Sequence, residues 1–238
     1  MSADGFVLVH GGFHDARCWE RLVPLLSRPA VAVDLPGRGS RPAPMETVTL
    51  EACVQAVLAD LDASGFERAV LVGHSLGGAT VPVAAARRPE RIAHLVLLST
   101  LLAPDGGAIV DGFLPETREQ AIRRRSPRTR GSSTSDAHHR EMLNGTMSEE
   151  DVEFLVRRHV AESRRLFTDR GASRAGPSRT TSRAATSDSV RTLSVTPAQQ
   201  AHAISPCPGS RCARLTLASA MVTHPKDVAA ILNEIAAR

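Results

Sequence analysis

The sequence lacks the cysteine content and the long apolar runs of a secreted or membrane-spanning protein. Four cysteines in 238 residues are too few for a disulfide scaffold. Cys207 and Cys212 lie close together but have no partners at zinc-site spacing, so we predict no metal site. The apolar run near the amino terminus, residues 6–9, is too short for a signal peptide or a membrane span. These absences predict a cytoplasmic protein with reduced thiols and no membrane contact.

Aromatic residues are also scarce, which weighs against nucleic-acid binding. They make up 3% of the chain, with one tryptophan and no tyrosine, although the net charge is +4. Much of the basic excess lies in residues 122–131, which contain no aromatic side chain on which a base could stack. We interpret this run as a solvated loop and predict no nucleic-acid partner. An acidic partner and a homodimer stay open.

One stretch of the chain carries a catalytic pattern. Residues 69–72 are typical of a buried strand, and residues 79–86 are typical of a helix. Between them, Gly73-His74-Ser75-Leu76-Gly77 fits G-x-S-x-G, the nucleophile elbow. Such a turn lifts the serine hydroxyl above the sheet in a strained conformation. The positions two residues away on either side must be small because strand and helix pack closely there. The pattern therefore predicts that Ser75 is a nucleophile.

Short apolar runs alternate with helical patterns along the chain. Residues 6–9, 30–33, 70–72 and 95–98 are typical of buried parallel strands. Because strands and helices alternate, we predict an α/β fold with a mostly parallel, doubly wound sheet and helices on both faces. The active site of such a sheet lies beyond the carboxyl ends of its strands. The loop that follows residues 6–9 can therefore meet Ser75.

Several helices are predicted from apolar spacing and from the residues that begin them. Residues 16–26 carry apolar side chains at helical spacing. Thr49 is a helix cap, and the helix is expected to end near Ser64. Ser148 begins a capping pattern for another helix, and Pro225 begins the last one.

Four segments of the chain together match the pattern of a known enzyme family. They are Phe6-Val7-Leu8-Val9-His10-Gly11-Gly12-Phe13-His14 with Cys18-Trp19, Asp34-Leu35-Pro36-Gly37-Arg38-Gly39-Ser40, Gly73-His74-Ser75-Leu76-Gly77-Gly78, and His224-Pro225-Lys226-Asp227-Val228. In these segments the chain resembles the α/β-hydrolase family, most closely its small plant-type methylesterase and hydroxynitrile-lyase branch. The resemblance implies a single α/β-hydrolase domain over residues 1–238, with a small helical lid at about residues 101–178.

The resemblance also implies roles for individual residues. Ser75 is the expected nucleophile, and the backbone N–H groups of Gly12 and Leu76 are expected to form the oxyanion hole. His10 and His14 belong to the loop motif, and we expect them to hold its shape through hydrogen bonds. No cofactor is implied.

The catalytic acid and base are where the chain departs from the family pattern. The family order is serine, acid, histidine, and its acid follows a late strand, so Asp188 is the expected acid and Asp105 the alternative. The family histidine lies in a short loop between the last strand and the last helix, which corresponds to about residues 218–220 here, and these contain none. His224 is the nearby histidine and becomes the predicted base, although it matches a different, structural histidine of the family.

The predicted function is hydrolysis of a small-molecule carboxylic ester through an acyl-serine intermediate. The missing histidine motivates one alternative, a catalytically degenerate hydrolase that acts as a binding protein. A hydroxynitrile-lyase-like enzyme is another alternative, but it needs an extra positive group, and Lys226 is the chain's one lysine. Residues 123–135 and 171–220 are rich in Arg, Ser, Pro and Ala, and compensating frame shifts in the coding DNA would explain both segments. Translating the DNA in its other frames tests that hypothesis.

Overall fold

The computed structural model describes most of the amino-terminal half of the chain, part of its middle and the carboxyl terminus. The described residues are 2–100, 102–104, 106–113, 118–119, 140, 143, 147–171, 190–193, 211–213 and 219–238. Asp105, Asp188 and Cys207 lie outside them. Much of the predicted lid, residues 101–178, also lies outside them, so the lid stays a prediction.

A parallel sheet forms the centre of the protein and confirms the predicted fold class. Its strands are β1 (Gly5–Val9), β2 (Ala30–Val33), β3 (Ala69–His74), β4 (Ile92–Leu98), β5 (Val190–Leu193) and β6 (Arg211–Ala213). They are arranged in the order β2-β1-β3-β4-β5-β6, and every described neighbour pair is parallel. The run of apolar residues in the first four strands matches strands that are covered on both faces.

The strand order reverses direction next to β1, which pairs with β2 on one side and with β3 on the other. In open α/β sheets, ligands bind beyond the carboxyl ends of the strands at such a switch point. Val9 pairs with Gly73 at the ends of β1 and β3. The register therefore brings the loop after β1 and the turn after β3 to the same edge of the sheet.

Helices cover both faces of the sheet and create two buried apolar clusters. The helices are α1 (Leu50–Ala63), α2 (Val81–Arg87), α3 (Glu149–Val156), α4 (Arg165–Thr168), α5 (Ala220–Thr223) and α6 (Pro225–Ala236). Side chains of α1, α2 and α4 join one cluster, and those of α3, α5 and α6 join the other. In the part of the chain that the structure describes, no helix has the length and apolar character needed to cross a membrane.

The helix predicted over residues 16–26 is wrong. Two short 3₁₀ helices, Ala16–Trp19 and Val23–Leu25, occupy this stretch. Pro24 lacks the N–H that an α-helix would need there, and its ring would clash with the preceding turn. Apolar spacing alone therefore identified the buried side, on which Trp19 and Leu22 are fully buried, but not the type of helix.

The predicted caps of α1 and α3 are confirmed. The Thr49 side chain accepts a hydrogen bond from the Ala52 N–H at 2.9 Å, and α1 ends at Ala63. The Ser148 hydroxyl accepts from the Asp151 N–H at 3.2 Å. Each side chain satisfies one of the amide groups that a helix leaves unpaired at its start.

Candidate active site

Ser75 occupies a strained turn between β3 and a 3₁₀ helix, Ser75–Ala79. Its φ is +46°, a left-handed conformation that side-chain-bearing residues rarely adopt. The residue is half-buried and is held there by the strand on one side and the helix on the other. This is the geometry of a nucleophile elbow.

The two glycines of the motif are required by close contacts. A Cβ added to Gly73 would lie 2.5 Å from Val81 Cγ2. One added to Gly77 would lie 2.9 Å from the backbone oxygen of His10 and 3.0 Å from that of Val9. The second contact is the more restrictive because a backbone oxygen at a strand end cannot rotate away. Gly77 therefore lets the elbow pack directly against the end of β1.

The loop after β1 packs against the elbow from the other side. A Cβ added to Gly11 would lie 2.9 Å from Ser75 Cβ, and one added to Gly12 would lie 3.2 Å from Leu76 Cδ2. The structure thus brings together Ser75, Gly12 and Leu76, three of the predicted site residues. In the described part of the chain, no backbone oxygen accepts a hydrogen bond from the N–H of Gly12 or of Leu76.

His10 fixes the orientation of the Gly11–Gly12 peptide. Its ring Nδ1 lies 2.8 Å from the Gly11 oxygen, and its Nε2 accepts a hydrogen bond from the Leu35 N–H at 3.3 Å. Nδ1 must therefore carry the ring proton and donate a hydrogen bond to the Gly11 oxygen. Because a trans peptide points its N–H and C=O in opposite directions, the Gly12 N–H points away from His10.

Burial keeps His10 neutral. Loss of water around the ring, aided by the positive charge of Arg38, lowers the pKa of His10 from 6.5 to about 4. With both ring nitrogens hydrogen-bonded, His10 acts as a support for the loop, as expected from the sequence. His14 has a similar role, because its Nδ1 lies 2.9 Å from the Gly12 oxygen.

The Asp34–Ser40 loop is a second support beside this edge of the sheet. The Asp34 carboxylate accepts hydrogen bonds from the backbone N–H groups of Ala16 at 2.9 Å and Ser40 at 2.8 Å. Partial burial raises the pKa of Asp34, but these hydrogen bonds outweigh that effect and lower it from 3.8. The carboxylate therefore stays charged at neutral pH and joins the 3₁₀ helix at Ala16–Trp19 to this loop.

His224, the predicted base, lies at the surface immediately before α6. Its side chain is exposed, and its Nδ1 shares a hydrogen bond of 2.8 Å with the Thr223 hydroxyl. The Ser75 hydroxyl and the His224 ring share no hydrogen bond among those of the described residues. The structure therefore does not bring these two predicted residues together.

The predicted acids lie outside the described residues, but the strand near Asp188 is described. β5 begins at Val190, so it follows Asp188 in the chain, whereas the prediction expected a strand before the acid. The sequence contains no Asp or Glu between Asp188 and Asp227. No acidic residue therefore follows β5 before the last helix, and the roles of Asp188 and Asp105 stay predictions.

Sequence reasoning missed one buried charged pair next to the loop. The Glu162 carboxylate forms an ion pair with the Arg38 guanidinium, and both side chains are buried. A Cβ added to Gly12 would lie 3.2 Å from Glu162 Oε2. Arg38 and Glu162 are 124 positions apart in the chain, and no local sequence pattern indicates a contact at that separation.

Comparison with known proteins agrees with this architecture. Lipase LipV of Mycobacterium tuberculosis is 42% identical over 112 residues, which are 44% of this chain and 42% of the lipase. Esterase PIR7B of rice, Oryza sativa subsp. japonica, is 34% identical over 126 residues, 49% of this chain and 47% of the esterase. In both cases the match spans less than half of the relative's length.

Solved structures share the fold over nearly the whole chain. An extracellular α/β-hydrolase from a Paenibacillus species has a TM-score of 0.79 at 18% identity and covers 98% of this chain and 99% of its own. Tomato methylketone synthase I, as its H243A variant, has a TM-score of 0.76 at 18% identity, and the match covers 99% of this chain and 98% of the synthase chain. The model of the alpha/beta hydrolase family matches residues 6–231, from β1 into α6. The chain belongs to the alpha/beta hydrolase family.

Proposed function

We propose that this protein hydrolyses small-molecule carboxylic esters with Ser75 as the nucleophile. The observation that carries the proposal is the left-handed Ser75, at φ +46°, packed against the glycine loop after β1. Relatives named as a lipase and as an esterase match 44% and 49% of the chain and support the same reaction class. The substrate would be a small ester, and the reaction needs no cofactor.

In the proposed reaction, the Ser75 hydroxyl attacks the ester carbonyl. The negative charge that develops on the carbonyl oxygen is bound by the N–H groups of Gly12 and Leu76, each worth about 3 kcal/mol of transition-state stabilisation. The tetrahedral intermediate collapses, the alcohol leaves with a proton, and an acyl-serine remains. Water then attacks the acyl-serine, the acid leaves and Ser75 is regenerated.

A base must take the Ser75 proton and return it to the leaving alcohol. We propose His224 for this role because it is the histidine nearest to the family position in the sequence, with Asp188 or Asp105 as its acid. Its exposed ring and its bond to Thr223 mean that the turn between α5 and α6 would have to rearrange to reach Ser75. The role of His224 is therefore tested separately from that of Ser75.

The test is hydrolysis of short-chain p-nitrophenyl esters by wild type, Ser75→Ala and His224→Ala. Lys226→Ala is the matched control, because it removes an exposed side chain from the same helix start. We expect Ser75→Ala to abolish turnover and Lys226→Ala to preserve it. If His224→Ala also abolishes turnover, His224 is the base. If only Ser75→Ala abolishes turnover, another histidine is the base. Wild-type turnover equal to that of Ser75→Ala contradicts the proposal.

The alternative function is a degenerate hydrolase that binds an ester without turning it over. Two observations favour it: Ser75 shares no described hydrogen bond with His224, and no acidic residue lies between Asp188 and Asp227. Loss of the base leaves only the residual catalysis of the oxyanion hole. This alternative predicts that ester analogues bind while any slow turnover is insensitive to Ser75→Ala.

A hydroxynitrile-lyase-like reaction receives less support. That reaction needs a positive group close to the nucleophile, and the chain's one lysine, Lys226, is exposed at the start of α6. The Lys226→Ala control also tests this alternative, since it would abolish cyanohydrin cleavage if Lys226 supplied that charge.

A further inference from the structure

The buried carboxylate of Glu162 is bonded from three directions. It pairs with the Arg38 guanidinium, it accepts from the Phe13 N–H at 3.1 Å through Oε2, and it accepts from the Ser163 N–H at 2.6 Å through Oε1. Only 1% of the Glu162 side chain and none of the Arg38 side chain is exposed. A carboxylate is found in such a place only when charge and hydrogen bonds compensate the lost water.

The segment around Glu162 forms hydrogen bonds with both the N–H and the C=O of Phe13. The Val160 N–H donates to the Phe13 oxygen at 2.9 Å, while Glu162 accepts from the Phe13 N–H. Phe13 has a φ of +63°, a conformation that persists only where the surroundings enforce it. Residues 160–162 therefore hold this loop residue in its left-handed conformation.

The anchored Phe13 N–H belongs to the peptide that follows Gly12. The oxygen of the same peptide is held by His14, and the oxygen of the preceding peptide is held by His10. Two successive peptide planes are thus fixed, and the Gly12 N–H belongs to the first of them, the Gly11–Gly12 peptide. Of the three side chains His10, His14 and Glu162, Glu162 comes from a distant part of the chain, 149 residues from Phe13.

We infer that Glu162 is a positioning residue that holds the oxyanion loop, residues 10–14, in its catalytic position, with Arg38 as its charge partner. The inference rests on the proposed function, since it assigns the Gly12 N–H to the oxyanion hole. Without the Glu162 carboxylate, the Gly12–Phe13 peptide loses the anchor on its N–H side and the neighbouring Gly12 N–H shifts. A misplacement on the order of 1 Å lowers catalysis by up to about 100-fold.

Arg38 makes a simple charge deletion hard to interpret. Glu162→Ala alone leaves a buried, unpaired guanidinium, which destabilises the whole protein. The cleaner comparison removes both charges. In the Arg38→Met/Glu162→Gln double variant the amide oxygen can still accept from Phe13, whereas in Arg38→Met/Glu162→Leu no acceptor remains. Both double variants are uncharged at these two positions, and both lose the acceptor of the Ser163 N–H when the amide oxygen faces Phe13. They therefore differ mainly in the acceptor for the Phe13 N–H.

The first readout is backbone hydrogen exchange of a peptide covering residues 10–14, followed by mass spectrometry. We expect exchange there to be about 10-fold faster in the Leu double variant than in the Gln double variant, because a lost anchor allows local opening. Asp62→Asn is the control. It removes an ion pair between Asp62 of α1 and Arg91, whose other hydrogen bonds go to the backbone oxygens of residues 61, 66 and 67, and it should leave exchange of residues 10–14 unchanged.

The second readout is hydrolysis of p-nitrophenyl acetate. We expect kcat of the Leu double variant to be about 10- to 100-fold below that of the Gln double variant, with KM within about twofold. A merely structural role would instead lower the melting temperature of both variants and leave their kcat values equal. If wild type turns the ester over, equal kcat in the two double variants overturns the inference, whether or not their exchange differs.

The two readouts separate this inference from the proposed function. Wild-type turnover with equal kcat in the two double variants refutes the role of Glu162 and leaves the esterase proposal intact. Wild type without turnover refutes the esterase proposal, and hydrogen exchange then decides about Glu162. Faster exchange in the Leu double variant than in the Gln double variant supports the role of Glu162 in holding the loop, and equal exchange refutes that role.

Discussion

Gly77→Ala tests whether the elbow and the end of β1 are packed as tightly as the structure indicates. The added Cβ would lie 2.9 Å from the His10 oxygen and 3.0 Å from the Val9 oxygen, inside the 3.4 Å at which ordinary contacts begin. Gly77 does not have a positive φ, so alanine is compatible with its backbone and would otherwise stabilise the protein by about 0.4–1 kcal/mol. Crowding against two backbone oxygens costs about 1–3 kcal/mol and should win.

The displaced atoms begin the loop after β1, whose Gly12 N–H we propose for the oxyanion hole, so Gly77→Ala should also affect catalysis. We expect a lower free energy of unfolding in urea and a kcat for p-nitrophenyl acetate reduced by about 10- to 100-fold. Gly65→Ala is the matched control. Gly65 has a φ of +71° with no atom within 4 Å of an added Cβ, so it should lose about 1–2 kcal/mol of stability and keep its kcat. A Gly77→Ala variant with wild-type stability and kcat would refute the close packing.

Three further changes test single features of the chain. At Ser75, with its φ of +46°, Ser75→Gly should be more stable to urea than Ser75→Ala by about 1 kcal/mol, and the opposite order would contradict the strained turn. The folded-state pKa of His10, about 4, is below its ordinary 6.5, so its contribution to stability is complete above pH 6.5 and is lost as pH falls from 6.5 to 4. The free energy of unfolding of wild type should therefore fall by up to about 3 kcal/mol over that range, and His10→Gln should remove this part of the pH dependence. Thr49→Ala, which deletes the cap on the Ala52 N–H, should lower the melting temperature through a loss of about 1 kcal/mol, while the exposed Glu46→Ala should not.

Features that depend on neighbouring residues in the chain were predicted well. The strands that end in the His10 loop and in Ser75, the cap at Thr49 and the elbow glycines all follow from local rules. Apolar runs imply burial, hydroxyls satisfy the free amides at a helix start, and a tight turn excludes side chains. The helix over residues 16–26 failed because Pro24 overrides apolar spacing.

The sequence by itself determined the fold class, the position of the strained turn at Ser75 and the loop that faces it, because each depends on a short pattern with a physical cause. Only the tertiary structure decided which distant groups support that loop. Glu162 meets Phe13 and Arg38 across 149 and 124 residues, and such contacts arise from the path of the chain around the sheet. The structure also placed His224 at the surface, away from the role that its position in the sequence implied. Local patterns fix backbone geometry over a few residues, whereas the partners of a buried charge or of a catalytic base depend on how the whole chain packs.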